Sequence, residues 1–122
     1  MSGFSNHSRD MALNHIFRTG NRYVAVFNGT SEVSASGYAR KPVTFASPES
    51  APGGGRRVRN ASAVEFDEPQ ANWGTVDAAA IYDSETGGNR LSEIIPLEEP
   101  RDVPAGDQAI RFPAGDLSME ID

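Results

Sequence analysis

The chain starts with a helical pattern of apolar residues and then changes to the alternation of apolar and polar residues that is typical of strands. Three apolar residues at the spacing i, i+3, i+4 form the helical stripe: Leu13, Ile16 and Phe17. Ser5 or Ser8 is suited to cap this helix, and Gly20 is suited to end it. We expect the stripe to pack on its own domain or on a neighbouring subunit, because about three turns with little basic charge make a poor membrane anchor.

From residue 22 onward, short β-prone segments alternate with turn residues. The predicted strands cover residues 22–27, 38–45, 61–66, 76–82, 89–95, 107–112 and 117–121. Small residues in the centre of 76–82 predict that another element approaches closely, and DSETGGN at 83–89 predicts a hairpin connection. The prolines and acidic residues of 96–104 predict an extended, solvated connection. The motif PAGD at 104–107 and again at 113–116 predicts two similar turns and a terminal hairpin.

The segment SGYARKPVTF at 36–45 places two cations, Arg40 and Lys41, directly before Pro42. Proline cannot donate a hydrogen bond to a sheet, and charged side chains discourage unwanted strand pairing. We therefore expect an edge strand here, in which Arg40 and Lys41 point to opposite faces. A phosphate-binding pair and a salt bridge between subunits remain alternatives.

Residues 46–57 contain two prolines and three consecutive glycines, which predict a mobile surface loop. The loop ends in GGGRRVR, which lacks the lysine and hydroxyl spacing of a P-loop and is followed by a strand. Arg56, Arg57 and Arg59 instead favour attraction to an acidic partner surface.

The composition indicates one all-β domain, with a helical segment at 1–20 and a β-sandwich at 21–122. A length of 122 residues suffices for one modest core, and 12 glycines and 8 prolines favour many short strands over long helices. There is no cysteine, so disulfides and thiolate metal sites are excluded. No apolar run approaches a membrane span or a secretory signal, which predicts a soluble protein made in the cytoplasm.

Charge is distributed unevenly along the chain. Residues 1–60 carry eight Arg or Lys and three Asp or Glu, which gives +5, whereas residues 61–122 carry three and fourteen, which gives −11. Such segregation suits head-to-tail contact between copies or docking on a charged partner, unless the strands interleave and mix the two halves. The net charge of −6 makes general nucleic-acid binding a poor hypothesis.

The search for catalytic and metal-binding chemistry is negative. His7 and His15 are eight residues apart without a metal-site motif. The loop that starts at Asp83 resembles a calcium loop, but Ile94 stands at position 12, where a bidentate glutamate belongs. No nucleophile elbow or dinucleotide fingerprint occurs. We therefore expect no enzyme activity, no catalytic residues, no metal and no cofactor.

Four segments in order resemble a family of small tailed-bacteriophage virion proteins, usually labelled tail, minor tail or tail-fibre proteins. These segments are ALNHIFRTGNRYVAVFNG, SEVSASGYARKPVTFA, NASAVEFDEPQANWGTVDAAAIYDSETGGNRL and VPAGDQAIRFPAGDLSMEID. The most specific part is GYAR followed by WG, an aspartate and TGG. The chain departs from the family in a shorter first loop, in the additional GGGRR, and in Lys41, where glutamine is common.

The resemblance implies a compact immunoglobulin-like β-sandwich with a short N-terminal α-helix, used as a building block of the virion. Its implied partners are other virion proteins, such as the major capsid or tail proteins, and copies of itself. We favour an accessory subunit on the particle exterior, either a capsid decoration protein or a tail or neck component, because a fibre shaft needs heptads or a long β-repeat. The alternative is a tail-fibre or host-adhesion module that binds carbohydrate through Trp73 and Tyr38.

The residues that we select as candidates for partner contact are the helical stripe, the two basic groups and one aromatic residue. For Trp73 the competing interpretation is a core aromatic that closes the sandwich. The candidates are Leu13, Ile16, Phe17, Arg40, Lys41, Arg56, Arg57, Arg59 and Trp73.

Overall fold

The computed structural model describes residues 3–121, which form one helix and ten strands. The helix is α1 (Asn6–Phe17), and the strands of the first half are β1 (Arg22–Asn28), β2 (Ser31–Glu32), β3 (Lys41–Val43), β4 (Glu49–Ser50) and β5 (Arg56–Arg59). The strands of the second half are β6 (Val64–Glu65), β7 (Gly74–Tyr82), β8 (Ile95–Val103), β9 (Arg111–Phe112) and β10 (Ser118–Ile121). The predicted all-β sandwich with a short N-terminal helix is confirmed.

The strands form three antiparallel sheets around one shared core. The largest has the order β2-β1-β7-β8, and β3 also pairs with β1. The second sheet has the order β10-β5-β4, and the third pairs β6 with β9. Val26, Val58 and Phe112 come from the three different sheets and lie in the same buried cluster, so the sheets pack on one another through this core.

The helix closes part of this core. Ser5 is the N-cap and accepts a hydrogen bond from the backbone N–H of Ser8, while the helix ends at Phe17, before the predicted stop at Gly20. Leu13 is fully buried, and the ring of Phe17 lies 5.5 Å from that of Phe45. The predicted apolar stripe therefore packs on its own domain.

The central strands of the five-stranded sheet, β1 and β7, are buried on both faces. Val24 and Val26 of β1 belong to the main core, whereas Ala25 and Phe27 belong to a second cluster together with Ala78 and Ala80 of β7. Ile94, from the connection between β7 and β8, packs against this second cluster. The small side chains of β7 thus allow the close approach that the sequence predicts.

Several predicted strands are shorter or shifted. β6 and β9 each occupy two residues of the predicted segments 61–66 and 107–112, and β4 lies inside the predicted loop 46–57. The prediction of a strand at 89–95 is wrong: Arg90 makes an isolated bridge to Tyr82, and the strand runs from Ile95 to Val103 instead. Residues 96–104 are thus mainly an edge strand, which tolerates Pro96 and Pro100 because one side has no ladder to maintain.

The predicted terminal hairpin is also wrong, although both PAGD motifs form turns. Asp107 N–H donates to the Pro104 carbonyl at 3.2 Å, and Asp116 N–H donates to the Pro113 carbonyl at 3.1 Å. The strands on either side of these turns pair with distant partners, since β9 pairs with β6 and β10 with β5. Each PAGD turn therefore carries the chain from one sheet to another.

Candidate subunit-contact surfaces

Arg40 is the most heavily engaged of the predicted contact residues. Its Nε and Nη2 donate to the two carboxylate oxygens of Glu32, both at 2.8 Å. Its Nη1 donates to the carbonyls of Ser84 at 2.9 Å and Gly87 at 2.7 Å. Its guanidinium carbon lies 3.7 Å from the ring centroid of Tyr82. With a side-chain exposure of 8%, Arg40 is buried within its own subunit.

We call this group of residues the Arg40 cluster. Its members are Glu32, Tyr38, Arg40, Tyr82 and the carbonyls of Ser84 and Gly87. The prediction that Arg40 lies on a strand face opposite Lys41 is wrong, because the strand starts at Lys41 and leaves residues 38–40 free to turn inward. Lys41, Pro42 and Val43 do form an edge strand, which confirms that part of the prediction.

The hydrogen bonds and charges of the Arg40 cluster favour the ionised form of Glu32. Burial acts to raise the pKa of Glu32, but hydrogen bonds from Arg40 and Tyr38 outweigh it and hold that pKa below its usual value. Burial, together with the adjacent Glu32 carboxylate, raises the pKa of Tyr38. The Tyr38 hydroxyl therefore stays protonated and donates to Glu32 at 2.6 Å.

The motifs that carry the family resemblance meet at the Arg40 cluster. GYAR supplies Tyr38 and Arg40, while TGG supplies the Gly87 carbonyl that Arg40 binds. WG supplies Trp73, whose ring meets Tyr38 edge-on at 5.5 Å and whose Nε1–H donates to the Ser36 carbonyl. These motifs thus encode one buried structural unit of the sandwich.

Trp73 lies inside the molecule, with 4% of its surface exposed. The aromatic rings of Tyr38, Phe66 and Phe112 continue from it as a chain of stacked and edge-on contacts through the core. This position agrees with the interpretation of Trp73 as a core aromatic. Ile16, the third member of the helical stripe, is partly buried and packs against the main core.

The remaining predicted cations form ion pairs within the subunit. Lys41 Nζ lies 2.9 Å from Asp67, and Arg56 Nε lies 2.8 Å from Asp10 of α1. Arg57 and Arg59 share the carboxylate of Glu49 on β4, at 3.0 and 3.1 Å. The arginines that follow GGG are thus on β5 and fix the loop beside it.

Ion pairs form mostly within each half of the chain rather than between the halves. Each carboxylate of the first half that the structure describes, namely Asp10, Glu32 and Glu49, pairs with an arginine of the same half. Over residues 3–121, the only ion pair that joins the halves is Lys41–Asp67. The strands interleave in space, yet most of the acidic excess of the second half has no cation beside it.

Part of that acidic excess surrounds an open groove of about 520 Å³ between β8 and β10. We define the open groove by its acidic rim and its apolar floor. The rim carries the carboxylates Glu98, Glu99 and Asp116, and the floor includes Phe112, Leu117 and Met119. Arg101 and Arg111 also line the groove, but each pairs with a carboxylate outside it, Asp107 and Glu65 respectively. Within the described part of the chain, none of the three rim carboxylates has a basic group within 4.0 Å.

Two strand edges without a neighbouring strand flank the open groove. β8 is the last strand of the largest sheet, and β10 is the last strand of the second sheet. Burial along β8 is uneven, since Val103 is buried whereas the side chain at the other end, Ile95, is 36% exposed. The sandwich is therefore open on this side, where the first residues of β8 face no opposite strand.

Sequence reasoning missed the open groove because its walls look polar. Glu98, Glu99 and the flanking prolines suggest a solvated connection, and nothing local indicates that β8 joins β7. The best available signal was Leu97, which continues the apolar pair Ile94 and Ile95 into this acidic segment and lines the groove. None of the residues selected as contact candidates lines it.

Among residues 3–121 there is no helix with the length and apolar character needed to cross a membrane.

Comparison with known proteins places the chain in a family. No curated protein matches the chain. A family model described as podophage GP4 fiber I protein gp80 matches residues 3–120, which is nearly the whole sequence. The chain therefore belongs to the podophage GP4 fiber I protein gp80 family, and it is a fibre-type structural protein of the phage virion.

Proposed function

We propose that the protein is a non-enzymatic accessory subunit on the particle exterior, where it joins the fibre to neighbouring virion proteins. The observation that carries this proposal is the open groove, which combines an apolar floor, an acidic rim and two flanking strand edges. Such edges offer backbone donors and acceptors that a neighbour can use, and apolar floors supply binding energy.

A role in assembly fits this molecule better than glycan binding. Carbohydrate modules stack sugars on exposed aromatic rings, and the two candidates for that task were Trp73 and Tyr38. Trp73 is buried and Tyr38 is partly buried against the core, and their polar atoms bind Ser36 and Glu32. The side chains that a glycan site would need are thus committed to the fold.

Placement of the subunit on the particle is tested by imaging virions that are labelled with an antibody to this protein. We expect label at the tail fibres and in few copies. Particles that lack the protein serve as the control for antibody specificity. Label spread over the head would overturn the fibre placement and identify a capsid decoration subunit instead.

A further inference from the structure

We propose that the open groove of one copy receives the exposed face of α1 from a second copy, so that subunits join head to tail. The inference rests on the proposed function as a virion building block and names its partner surface. Its basis is a match of shape, polarity and charge between two surfaces of the same chain.

The exposed face of α1 carries a continuous row of residues that we call the α1 stripe. It consists of His7, Met11, His15 and Arg18, all exposed. Their spacing of three and four residues places them on one side of the helix. Leu13 and Phe17 lie on another side and are buried, so the α1 stripe faces away from its own core.

The α1 stripe combines an exposed apolar residue with a cation, Arg18. Met11 is 60% exposed, the largest exposure among the exposed large apolar residues of the described chain, and Phe4, which precedes the helix, follows at 51%. The third is Ile95, at 36%, in the wall of the open groove. Arg18 donates to the Phe45 carbonyl and to Asn14 rather than to a carboxylate, so its charge is not neutralised.

The open groove offers carboxylates and an apolar surface that complement the α1 stripe. Its rim carboxylates Glu98, Glu99 and Asp116 have no basic group within 4.0 Å among residues 3–121, since Arg101 and Arg111 pair elsewhere, and its floor is apolar. The 12 residues of α1 span about 18 Å, and the nine residues of β8 span roughly 30 Å, so the helix fits along the wall. Recognition of an amphipathic helix by an apolar groove is a recurring mode of protein association.

The proposed contact joins two different surfaces, the α1 stripe of one copy and the open groove of the next. A contact between two different surfaces continues from copy to copy, and it produces a ring or a filament according to the rotation at each step. A fibre component can use either result.

Cross-linking of single-cysteine variants tests this contact directly, because the chain has no cysteine of its own. Met11→Cys and Ile95→Cys are made in the full chain, one with an affinity tag, and are mixed with a short bis-maleimide reagent. We expect the mixed dimer to exceed either homodimer several-fold. Thr30→Cys, on the exposed turn between β1 and β2, replaces Met11→Cys in the matched control and should give little mixed dimer.

Sedimentation of the same full-length protein supplies a second readout. Wild type should associate beyond the dimer, and the double change Glu98→Lys and Glu99→Lys should weaken association about tenfold or more. The variant Arg18→Glu should fail likewise, and a mixture of the two variants should recover association. The control Glu68→Lys and Glu85→Lys reverses two exposed charges away from the groove and should leave association unchanged.

Three results would overturn the head-to-tail contact. They are equal cross-linking in the Thr30→Cys control, a predominance of homodimers, and a wild type that stays monomeric at the highest concentration reached. A monomer that still labels the fibre on virions would refute only the self-contact and leave the proposed function standing. Label absent from the fibre, with cross-linking intact, would refute the function and leave the contact.

Discussion

The Arg40 cluster and the open groove are built on the same five-stranded sheet, but they treat charge in opposite ways. In the cluster, Arg40 binds a carboxylate, two carbonyls and an aromatic ring within its own subunit. At the groove, Glu98 and Glu99 meet no cation within the described chain. Satisfied charge contributes to folding, whereas charge without a partner remains available for a neighbour.

This difference explains why the most recognisable sequence motifs are poor guides to partner contact. GYAR and TGG are the residues that the cluster needs to hold the connection between β7 and β8 in place. The groove needs only acidic and apolar character, which many sequences provide. Changes at the two places should therefore separate stability from assembly.

The largest expected effect is the loss of the buried cation. Arg40→Ala leaves two carbonyls without their donor and Glu32 with the Tyr38 hydroxyl but without its counter-ion, and should lower the free energy of unfolding by about 3 kcal/mol. We place it at the low end for a broken buried pair because 25% of the Glu32 side chain is exposed. Urea denaturation measures this change.

Its neighbour in sequence supplies the control. Lys41→Ala removes an ion pair to Asp67, whose side chain is 64% exposed, and should cost less than about 1 kcal/mol. Equal losses for the two variants would contradict the assignment of Arg40 to a buried structural role.

The second effect concerns the glycines of TGG. Gly87 and Gly88 both have positive φ, so alanine at either position should cost about 1 kcal/mol in backbone strain. At Gly88 the added Cβ would also lie 2.6 Å from the Ser84 Cβ, while at Gly87 nothing lies within 4 Å. Gly88→Ala should therefore be the more destabilising by at least about 1 kcal/mol in thermal or urea unfolding. A Gly87→Ala variant as unstable as Gly88→Ala would refute this steric account.

A third effect appears as a pH dependence. Because the pKa of Glu32 is lower in the folded protein, the unfolded chain binds more protons as the pH falls below about 4.5. The stabilisation from Glu32 is thus present above that pH and lost on acidification through its folded pKa. Unfolding free energies measured from pH 7 to 3 should fall less steeply for Glu32→Gln than for wild type. Glu68→Gln, at an exposed position, should follow the wild-type slope, and a parallel slope for Glu32→Gln would refute the coupling.

The smallest effect on stability is expected at the groove. Glu98→Lys and Glu99→Lys together should change the free energy of unfolding by less than about 0.5 kcal/mol, because both side chains are exposed and lack ion pairs within residues 3–121. The same variant should lose association in sedimentation. A large loss of stability would mean that the groove serves the fold, and the contrast with the Arg40 cluster would fail.

The parts of the fold that follow from the sequence are those with a local signal. The apolar run Val24–Phe27 and the segment 76–82 predict β1 and β7, because strands buried on both faces need apolar residues throughout. Ser5 and Ser8 predict the start of α1 through their side-chain oxygens, and the structure uses Ser5. Both PAGD turns were predicted as turns, since Gly106 and Gly115 supply the positive φ.

The parts that the sequence does not reveal depend on distant partners. β8 lies in a segment with two prolines and three acidic residues, and only its pairing with β7 makes it a strand. Burial of Arg40 depends on the carbonyls of Ser84 and Gly87, more than forty positions away. The open groove arises where two sheets end side by side, and the local pattern of apolar and polar residues does not indicate which strand is the last in a sheet.

The way in which Arg40 holds the tip of the β7–β8 connection has a consequence for engineering. Its hydrogen bonds go to the backbone carbonyls of Ser84 and Gly87 rather than to the side chains of Glu85 and Thr86, which are exposed between them. Every residue type offers the same carbonyl, so substitution at these two positions leaves the anchor intact. This tip is thus a suitable place to attach a foreign residue or chemical label to the surface of the protein without altering the scaffold.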